Sequence, residues 1–291
     1  MFQCTLVFRR KHFLLKLPSR SLALGQRTLV MGVLNVTPDS FSDGGKYFDP
    51  DTAIAGAVEM EASGADLVDI GGESTRPGSL GISVAEELQR VLPVIEGLQG
   101  KLRIPISIDT SKADVADAAA AAGAEIVNDV TALRCDLRIA EVVRCRKMGL
   151  ILMHMRGDPQ TMQKKPFARD VMKDVVTDLR KGMSAARRAG VAKSRIVIDP
   201  GLGFGKSYEQ NFELMAELPK LARLGFPLLA GPSRKSFLGR AVRGAREDER
   251  VWGTAAAITA CILNGAHIVR VHDVKEMVQV ARVADAVLGG D

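Results

Sequence analysis

Cysteine and histidine are scarce in this 291-residue chain, which contains four of each. The cysteines Cys4, Cys135, Cys145 and Cys261 lie far apart, and no C-x-x-C pair is present. The sequence therefore predicts neither a zinc site nor a disulfide framework, and scattered free thiols favour a reducing, cytoplasmic compartment. No run of about 18 apolar residues occurs, so the sequence predicts no membrane span.

Acidic residues are absent from residues 1–27, which contain Arg9, Arg10, Lys11, Lys16, Arg20 and Arg27. These positive charges account for the whole net charge of +6, because the chain has 40 Lys and Arg against 34 Asp and Glu. Residues 28–291 are consequently neutral. A neutral body argues against a nucleic-acid partner, which would need a basic face.

The basic segment 1–27 has two open interpretations. Its arginines and its lack of acidic residues are typical of a mitochondrial transit peptide, whereas Lys16 and Pro18 interrupt the apolar core that a secretory signal needs. Alternatively, it is a short extension that ends in a hairpin formed by residues 13–17 and 22–24. Such a hairpin could cover one end of the domain that follows, which we assign to residues 28–291.

Short runs rich in Val and Ile alternate with amphipathic stretches from residue 28 onward. The predicted strands span residues 28–36, 65–72, 104–110, 125–130, 150–156, 195–201, 227–233 and 267–273. The predicted helices span residues 51–63, 84–98, 112–122, 136–148, 171–189, 209–224, 248–263 and 274–288. This alternation predicts a single (β/α)8 barrel, a TIM barrel, of the α/β class. The alternative is a doubly wound sheet, but no G-x-G-x-x-G loop follows the first strand.

Polar residues follow every predicted strand, and the carboxyl ends of the strands form the active site in barrels of this kind. Carboxylates stand at or near five of these ends: Asp69, Asp109, Asp129, Asp199 and Asp273. One such residue is readily explained as a helix cap. A whole ring of polar ends, with Asn128 and Lys235 as donors, instead indicates a site for a flat heterocycle with several N–H groups and a carbonyl.

Cations follow the same strands: Arg76, Lys206, Arg234, Lys235, Arg270 and His272. The loops after the seventh and eighth strands are the usual phosphate site of the fold, and arginine binds phosphate oxygens in pairs. Asn35 and Asp39 offer oxygen ligands without a full cage, which suits a Mg²⁺ ion shared with substrate phosphates. His154 lies within the fifth predicted strand, where a core histidine is the expected interpretation.

The loops together resemble the signature segments of the dihydropteroate synthase family. The matching segments are NVTPDSFSDGG at 35–45, SIDT at 107–110, NDV at 128–130, MHM at 153–155, ESTRPG at 73–78, DPGLGFGK at 199–206, SRKSF at 233–237 and RVHD at 270–273. The resemblance covers about residues 22–290. It implies a homodimeric transferase that condenses 6-hydroxymethyl-7,8-dihydropterin pyrophosphate with p-aminobenzoate, giving 7,8-dihydropteroate and pyrophosphate, with Mg²⁺ as cofactor and sulfonamides as inhibitors.

The resemblance also implies site residues. Pterin contacts fall on Asp109, Asn128, Met153, Asp199, Lys235 and Arg270. Contacts to p-aminobenzoate fall on Phe41, Thr75, Arg76, Pro77, Phe204 and Ser236. Pyrophosphate is expected to bind Asn35, Arg270 and His272, and Mg²⁺ is expected to bind Asn35. We expect an SN1-like reaction in which pyrophosphate leaves first and Asp39, Lys235, Arg270 and His272 act as catalytic residues.

Two other functions share some of these features. A pterin-binding methyltransferase barrel would have the same fold and ring contacts, but it needs neither an aminobenzoate loop nor pyrophosphate cations. An inactive paralogue would bind a ligand or a partner without turnover. Release of pyrophosphate from the two mixed substrates separates these alternatives from a dihydropteroate synthase.

Overall fold

The computed structural model describes residues 10–37, 49–76, 78–162, 164 and 168–289. The predicted site residues Asp39, Phe41 and Pro77 lie outside these ranges. A two-stranded antiparallel hairpin precedes the barrel and consists of β1 (Phe13–Lys16) and β2 (Ser21–Leu24). The barrel strands are β3 (Leu29–Asn35), β4 (Leu67–Gly71), β5 (Ile106–Asp109), β6 (Ile126–Asp129), β7 (Gly149–Met153), β8 (Ile196–Asp199), β9 (Leu229–Ala230) and β10 (Ile268–Val271).

The eight barrel strands are parallel and pair in the order β8-β7-β6-β5-β4-β3-β10-β9. The two outer strands also meet, because Ile198 forms a parallel bridge with Leu228 and donates its backbone N–H to the Pro227 carbonyl at 3.0 Å. The sheet therefore closes, and the predicted TIM barrel is confirmed. A closed barrel directs all eight carboxyl ends to one mouth.

Helices connect the strands on the outside of the barrel. In the described part of the chain they are α1 (Pro50–Ala62), α2 (Val84–Gly97), α3 (Ala113–Ala121), α4 (Arg138–Arg146), α5 (Val171–Arg188), α6 (Tyr208–Ala216), α7 (Leu218–Ala222), α8 (Ser236–Ala241), α9 (Val251–Leu263) and α10 (Val274–Val287). The helix predicted at 209–224 is two helices, α6 and α7, because Pro219 lacks the N–H that a continuous helix requires. Helix α8 was not predicted.

The interior of the barrel is apolar at the amino ends of the strands and polar at the carboxyl ends. The apolar layer is formed by Leu29, Met31, Leu67, Ile126, Ile151, Val197, Leu229 and Ile268. Leu15, Leu17 and Leu24 of the hairpin pack against this layer, which confirms that the hairpin covers that end. Burying this apolar surface stabilises the barrel and leaves the opposite end for ligands.

Candidate active site

A cavity opens at the carboxyl ends of the barrel strands. Its lining consists of Asp109, Asn128, Val130, Met153, Asp199, Gly201, Leu202, Phe204, Gly231, Lys235 and Arg270. All six residues predicted to contact the pterin are in this set. A wider groove lies at the other end of the barrel beside the hairpin, where Arg10, Arg20 and Arg27 are each ion-paired, and its lining includes no predicted site residue.

Two carboxylates hold the guanidinium of Arg270 across the cavity. Its Nε donates to Asp69 Oδ2 at 2.6 Å, and its Nη2 donates to Asp109 Oδ2 at 2.9 Å. The same Asp69 oxygen accepts from Asn128 Nδ2 at 2.8 Å. These bonds join β4, β5, β6 and β10, so the closed sheet places the four side chains in one network.

Burial changes the protonation of the two carboxyl groups that line the cavity. It raises the pKa of Asp109 to about 7, although the Arg270 charge opposes the rise. Burial likewise raises the pKa of Asp199 to about 6, against the backbone N–H of Gly201 that donates to Asp199 Oδ1 at 2.6 Å. Both groups therefore change from neutral to ionised within the physiological pH range, which is typical of functional sites.

Lys235 precedes helix α8 and extends its ammonium over the aromatic ring of Phe204, with Nζ 4.0 Å from the ring centre. Burial and the nearby Arg270 charge lower the pKa of Lys235 to about 8. Within the described ranges no hydrogen bond or ion pair of this ammonium is found. Its N–H donors are therefore available to a ligand in the cavity.

His272 is neutral, so its prediction as one of the cations was wrong. Burial and the charge of Arg270 lower the pKa of His272 to about 3. The Ser233 hydroxyl lies 3.0 Å from His272 Nδ1 and accepts the backbone N–H of His272 at 3.2 Å. With the ring proton on Nε2, Nδ1 accepts from the Ser233 hydroxyl and the ring presents an N–H donor to an anion.

Lys206 is a structural residue, so its prediction as a cation of the open rim was also wrong. Its buried ammonium donates to the carbonyls of Gly201 at 2.7 Å and Phe204 at 2.9 Å and lies 2.9 Å from Nδ1 of His154. These bonds fold the glycine-rich loop against β7. His154 is a buried core histidine, as expected, and burial lowers its pKa to about 2.

Two of the five strand-end aspartates also have structural roles. Asp129 accepts from the N–H of Thr131 at 2.8 Å and of Leu133 at 2.6 Å and so closes the turn after β6. Asp273 forms a two-bond ion pair with Arg234, at 2.5 and 3.1 Å. The apolar runs before all five residues could not separate them, whereas the family resemblance implied ring contacts for Asp109 and Asp199 and none for Asp129 or Asp273.

The residues predicted for p-aminobenzoate are only partly brought together. Phe204 lines the cavity, whereas Thr75 and Arg76 on the loop after β4 and Ser236 at the start of α8 do not line it. Arg76 is exposed and pairs with Glu247 at 3.0 Å, which joins the loop after β4 to the segment between α8 and α9.

Sequence reasoning missed the anchor of the loop that carries Thr75 and Arg76. Lys112 donates to Glu73 and to the buried Glu87, both at 2.5 Å. Only the packing of α2 and α3 brings these charges together. A lysine at the start of α3 was the single signal available in the sequence.

Asn35 ends β3 in register with Gly71, which itself pairs with Asp109. Among the residues that the structure describes, no three His, Cys, Asp or Glu side chains are grouped so as to hold a metal ion. Asn35 would therefore supply one amide oxygen at the mouth of the barrel. That donor fits a Mg²⁺ ion whose other ligands are phosphate oxygens and waters.

Comparisons with known proteins agree with this geometry. A family model described as pterin binding enzyme matches residues 31–272. The chain is 50% identical over 262 residues to a dihydropteroate synthase from Synechocystis sp., covering 90% of this chain and 91% of that protein.

Solved structures of relatives superimpose closely. Dihydropteroate synthase from Yersinia pestis, solved with a sulfonamide drug, has a TM-score of 0.89 at 41% identity and covers 96% of this chain and 100% of that one. The Xanthomonas albilineans enzyme in complex with 7,8-dihydropteroate has a TM-score of 0.85 at 42% identity, covering 94% and 98%.

The closed barrel and its carboxylate-rich cavity are those of a pterin-binding enzyme, the class whose family model the chain matches. Within this class, the chain is 50% identical to a dihydropteroate synthase across nine-tenths of both chains. The chain belongs to the dihydropteroate synthase family of transferases.

Proposed function

We propose that this protein condenses 6-hydroxymethyl-7,8-dihydropterin pyrophosphate with p-aminobenzoate, giving 7,8-dihydropteroate and pyrophosphate in folate biosynthesis. The observation that carries this proposal is the convergence of Asp109, Asn128, Asp199, Lys235 and Arg270 on one cavity. These groups combine acceptors for ring N–H groups with donors for a ring carbonyl. Family membership supports the same reaction.

The pterin would be recognised by side chains that line the cavity, some of which are held by the hydrogen bonds among Asp69, Asn128 and Arg270. The ionised carboxylates of Asp109 and Asp199 accept ring N–H groups, and the ammonium of Lys235 donates to an acceptor on the ring. Met153 and Phe204 supply apolar surfaces in the same cavity. Because Arg270 is held by Asp69 and Asp109, its guanidinium plane is oriented before the ligand arrives.

Departure of pyrophosphate would begin the reaction. His272 donates from Nε2 and Arg270 from its remaining N–H groups to the leaving oxygens, which lowers the energy of the developing charge. Asn35 would hold Mg²⁺, and that ion neutralises the leaving pyrophosphate when it is bound.

The cation left on the pterin methylene is stabilised by the electron-rich ring and by Asp39, which lies outside the described residues. The amine of p-aminobenzoate then forms the new C–N bond and loses a proton. Positioning supplies most of the acceleration, with no covalent bond to the protein.

The p-aminobenzoate would lie at the mouth of the cavity, between Phe204, the loop that carries Thr75 and Arg76, and the start of α8 at Ser236. Phe41 and Pro77 belong to the same proposal, although they lie outside the described residues. A crystal structure of a Xanthomonas albilineans relative contains 4-aminobenzoic acid. We propose that sulfonamides compete for this position, because they resemble an arylamine with an acidic group.

The test is release of pyrophosphate from the two purified substrates with Mg²⁺. We expect turnover that requires both substrates together. Ring binding without pyrophosphate release would favour a methyltransferase barrel or an inactive paralogue, and would contradict the proposal.

In the same assay, Asn35→Ala should raise the Mg²⁺ concentration needed for half-maximal rate, and an unchanged titration would remove Asn35 from the metal site.

The partner proposed for this chain is a second copy. Trp252 of α9 is 79% exposed, and Val283 and Val287 of the adjacent α10 are 67% and 62% exposed. Exposed apolar side chains on two neighbouring helices suit a homodimer interface. We expect sedimentation to show a dimer that Trp252→Glu dissociates, and a monomeric wild type would contradict this.

Two further properties of the chain concern its cellular location. None of the helices in the described part combines the length and the apolar composition needed to cross a bilayer. Cys135 and Cys145 are exposed free thiols, which supports a cytoplasmic location, where thiols stay reduced.

A further inference from the structure

Asp69 lies one layer below the cavity, in the middle of β4. Its side chain is fully buried and does not line the cavity. It is in register with Ser107, two residues before Asp109 on the neighbouring strand, so it lies beneath the ring-binding carboxyl. A fully buried carboxylate that touches no ligand needs a physical reason, because removing it from water is costly.

Asp69 serves two cavity residues with a single oxygen atom. Its Oδ2 accepts from Asn128 Nδ2 at 2.8 Å and from Arg270 Nε at 2.6 Å. Its other oxygen, Oδ1, has no hydrogen-bond partner among the described residues. Both donors come from other strands, β6 and β10, and both of those residues line the cavity.

We propose that Asp69 is a positioning residue that sets the hydrogen-bond polarity of the cavity, by orienting the carboxamide of Asn128 and, with Asp109, the guanidinium of Arg270. This proposal rests on the proposed function only for the identity of the ligand. Because Asp69 Oδ2 accepts the Nε–H of Arg270, which can only donate, it presents a lone pair to Asn128, and the carboxamide turns its NH2 group toward it. The carbonyl Oδ1 of Asn128 is then kept for an N–H group of the ligand.

The same argument applies to Arg270. Asp69 binds Nε and Asp109 binds Nη2, so two carboxylates from different layers hold the guanidinium plane. The donors on Nη1 have no partner among the described residues and remain for an anionic group. Neutralising position 69 removes one of the two contacts and allows the plane to rotate.

The variant that tests this is Asp69→Asn, which keeps the size of the side chain and removes its charge. Asp129→Asn is the matched control, because Asp129 is equally buried at 0% exposure but closes a turn with Thr131 and Leu133. We expect Asp69→Asn to raise KM for the pterin pyrophosphate about tenfold, while KM for p-aminobenzoate stays the same. Equal changes in both constants, or an equal change in the control, would indicate a merely structural role.

A double-mutant cycle tests whether Asp69 affects pterin binding through Asn128. The measured quantity is the calorimetric Kd of 6-hydroxymethyl-7,8-dihydropterin, which carries no pyrophosphate. If Asp69 acts through Asn128, Asp69→Asn should weaken binding about tenfold in the wild type and much less in an Asn128→Ala background. Fully additive losses would overturn the orientation of Asn128 by Asp69.

A measurement on the wild type covers the case in which Asp69→Asn does not fold. In the ligand-free, ¹⁵N-labelled protein, the side-chain NH2 of Asn128 should exchange with solvent far more slowly than that of an exposed asparagine. Fast exchange would overturn the proposal. This result is independent of turnover: a protected amide in a protein that releases no pyrophosphate would refute the proposed function and leave the positioning role intact.

Discussion

Single side chains in the cavity are poised between two protonation states. Burial raises the pKa of the carboxyl groups Asp109 and Asp199 and lowers the pKa of the ammonium of Lys235. Desolvation penalises the charged form in all three cases. A ligand that supplies the missing hydrogen bonds therefore gains more here than it would at an exposed site.

The first residue-scale prediction concerns Lys235. Lys235→Ala should weaken pterin binding by about 1–3 kcal/mol, because a charged hydrogen-bond donor to the ring disappears. Calorimetry with 6-hydroxymethyl-7,8-dihydropterin measures this. Lys220→Ala, which removes an exposed lysine paired with Glu217 on α7, is the control. An unchanged affinity for Lys235→Ala would remove this residue from the ring site.

The second residue-scale prediction concerns the pH dependence of the affinity for the pterin. The carboxyl groups accept ring N–H groups only when ionised, so affinity should rise as pH increases through about 6 and about 7, the pKa values of Asp199 and Asp109. Above about 8, Lys235 loses its proton and affinity should fall. Calorimetric Kd values across the neutral range measure both limbs. A flat profile would show that neither carboxyl group binds the ring in its ionised form.

Loops that follow the strands are shaped by backbone constraints as much as by charge. In the loop after β8, Gly201, Gly203 and Gly205 all have positive φ angles, of 65, 85 and 65°. A Cβ atom at Gly201 would overlap the carbonyl oxygen of His154. The loop can therefore pack against β7, with its carbonyls on Lys206, only because glycine stands there.

The element-scale prediction compares two glycines with positive φ. Gly100 has a φ of 73° but no neighbouring atom of the described residues within 4 Å of a Cβ placed there, so Gly100→Ala should cost about 1 kcal/mol of stability and leave ligand affinity intact. Gly201→Ala adds a collision to the same strain, so we expect a larger loss of stability and loss of pterin binding. Chemical denaturation and calorimetry measure the two effects. Equal behaviour of both variants would contradict this account of the loop.

The two ends of the described chain are joined across the amino-terminal face of the barrel. Arg10 Nη2 donates to Asp285 Oδ1 at 2.5 Å, and Asp285 Oδ2 accepts the backbone N–H of Thr28 at 2.6 Å. Arg10 also donates to the Ala266 carbonyl at 3.1 Å. The segment that precedes the barrel is thus fixed to the last helix, and the hairpin is held over the apolar layer.

The whole-molecule prediction follows from the burial of that ion pair. The side chains of Arg10 and Asp285 are only 3% and 8% exposed. Asp285→Ala would leave a buried guanidinium without its partner and should lower the unfolding free energy by about 3–5 kcal/mol. Asp117→Ala, which removes the exposed partner of Arg146, should change little. Comparable losses in the two variants by chemical denaturation would refute the role of the Arg10–Asp285 pair.

Periodicity and turn chemistry in the sequence are sufficient to predict the eight strands and their closure, because alternating apolar runs and helices have few stable arrangements. The same information could not predict the break between α6 and α7 or the extra helix α8. A proline inside a helical pattern leaves the position of the break open, and six residues are too short for a periodic signal.

The sequence by itself determined the barrel, the mouth at which its polar strand ends meet, and the family whose loop motifs it carries, since these depend on local composition and order along the chain. The family resemblance also named the six pterin contacts that line the cavity, and only the tertiary structure decided the roles of the remaining polar residues. Lys206 is buried and bonded to its own loop and to His154, and Asp129 is bonded within its own turn. His272 is neutral, and Asp69 binds two cavity residues without lining the cavity. Burial and partner choice across strands decide these roles, and both arise only when the sheet closes.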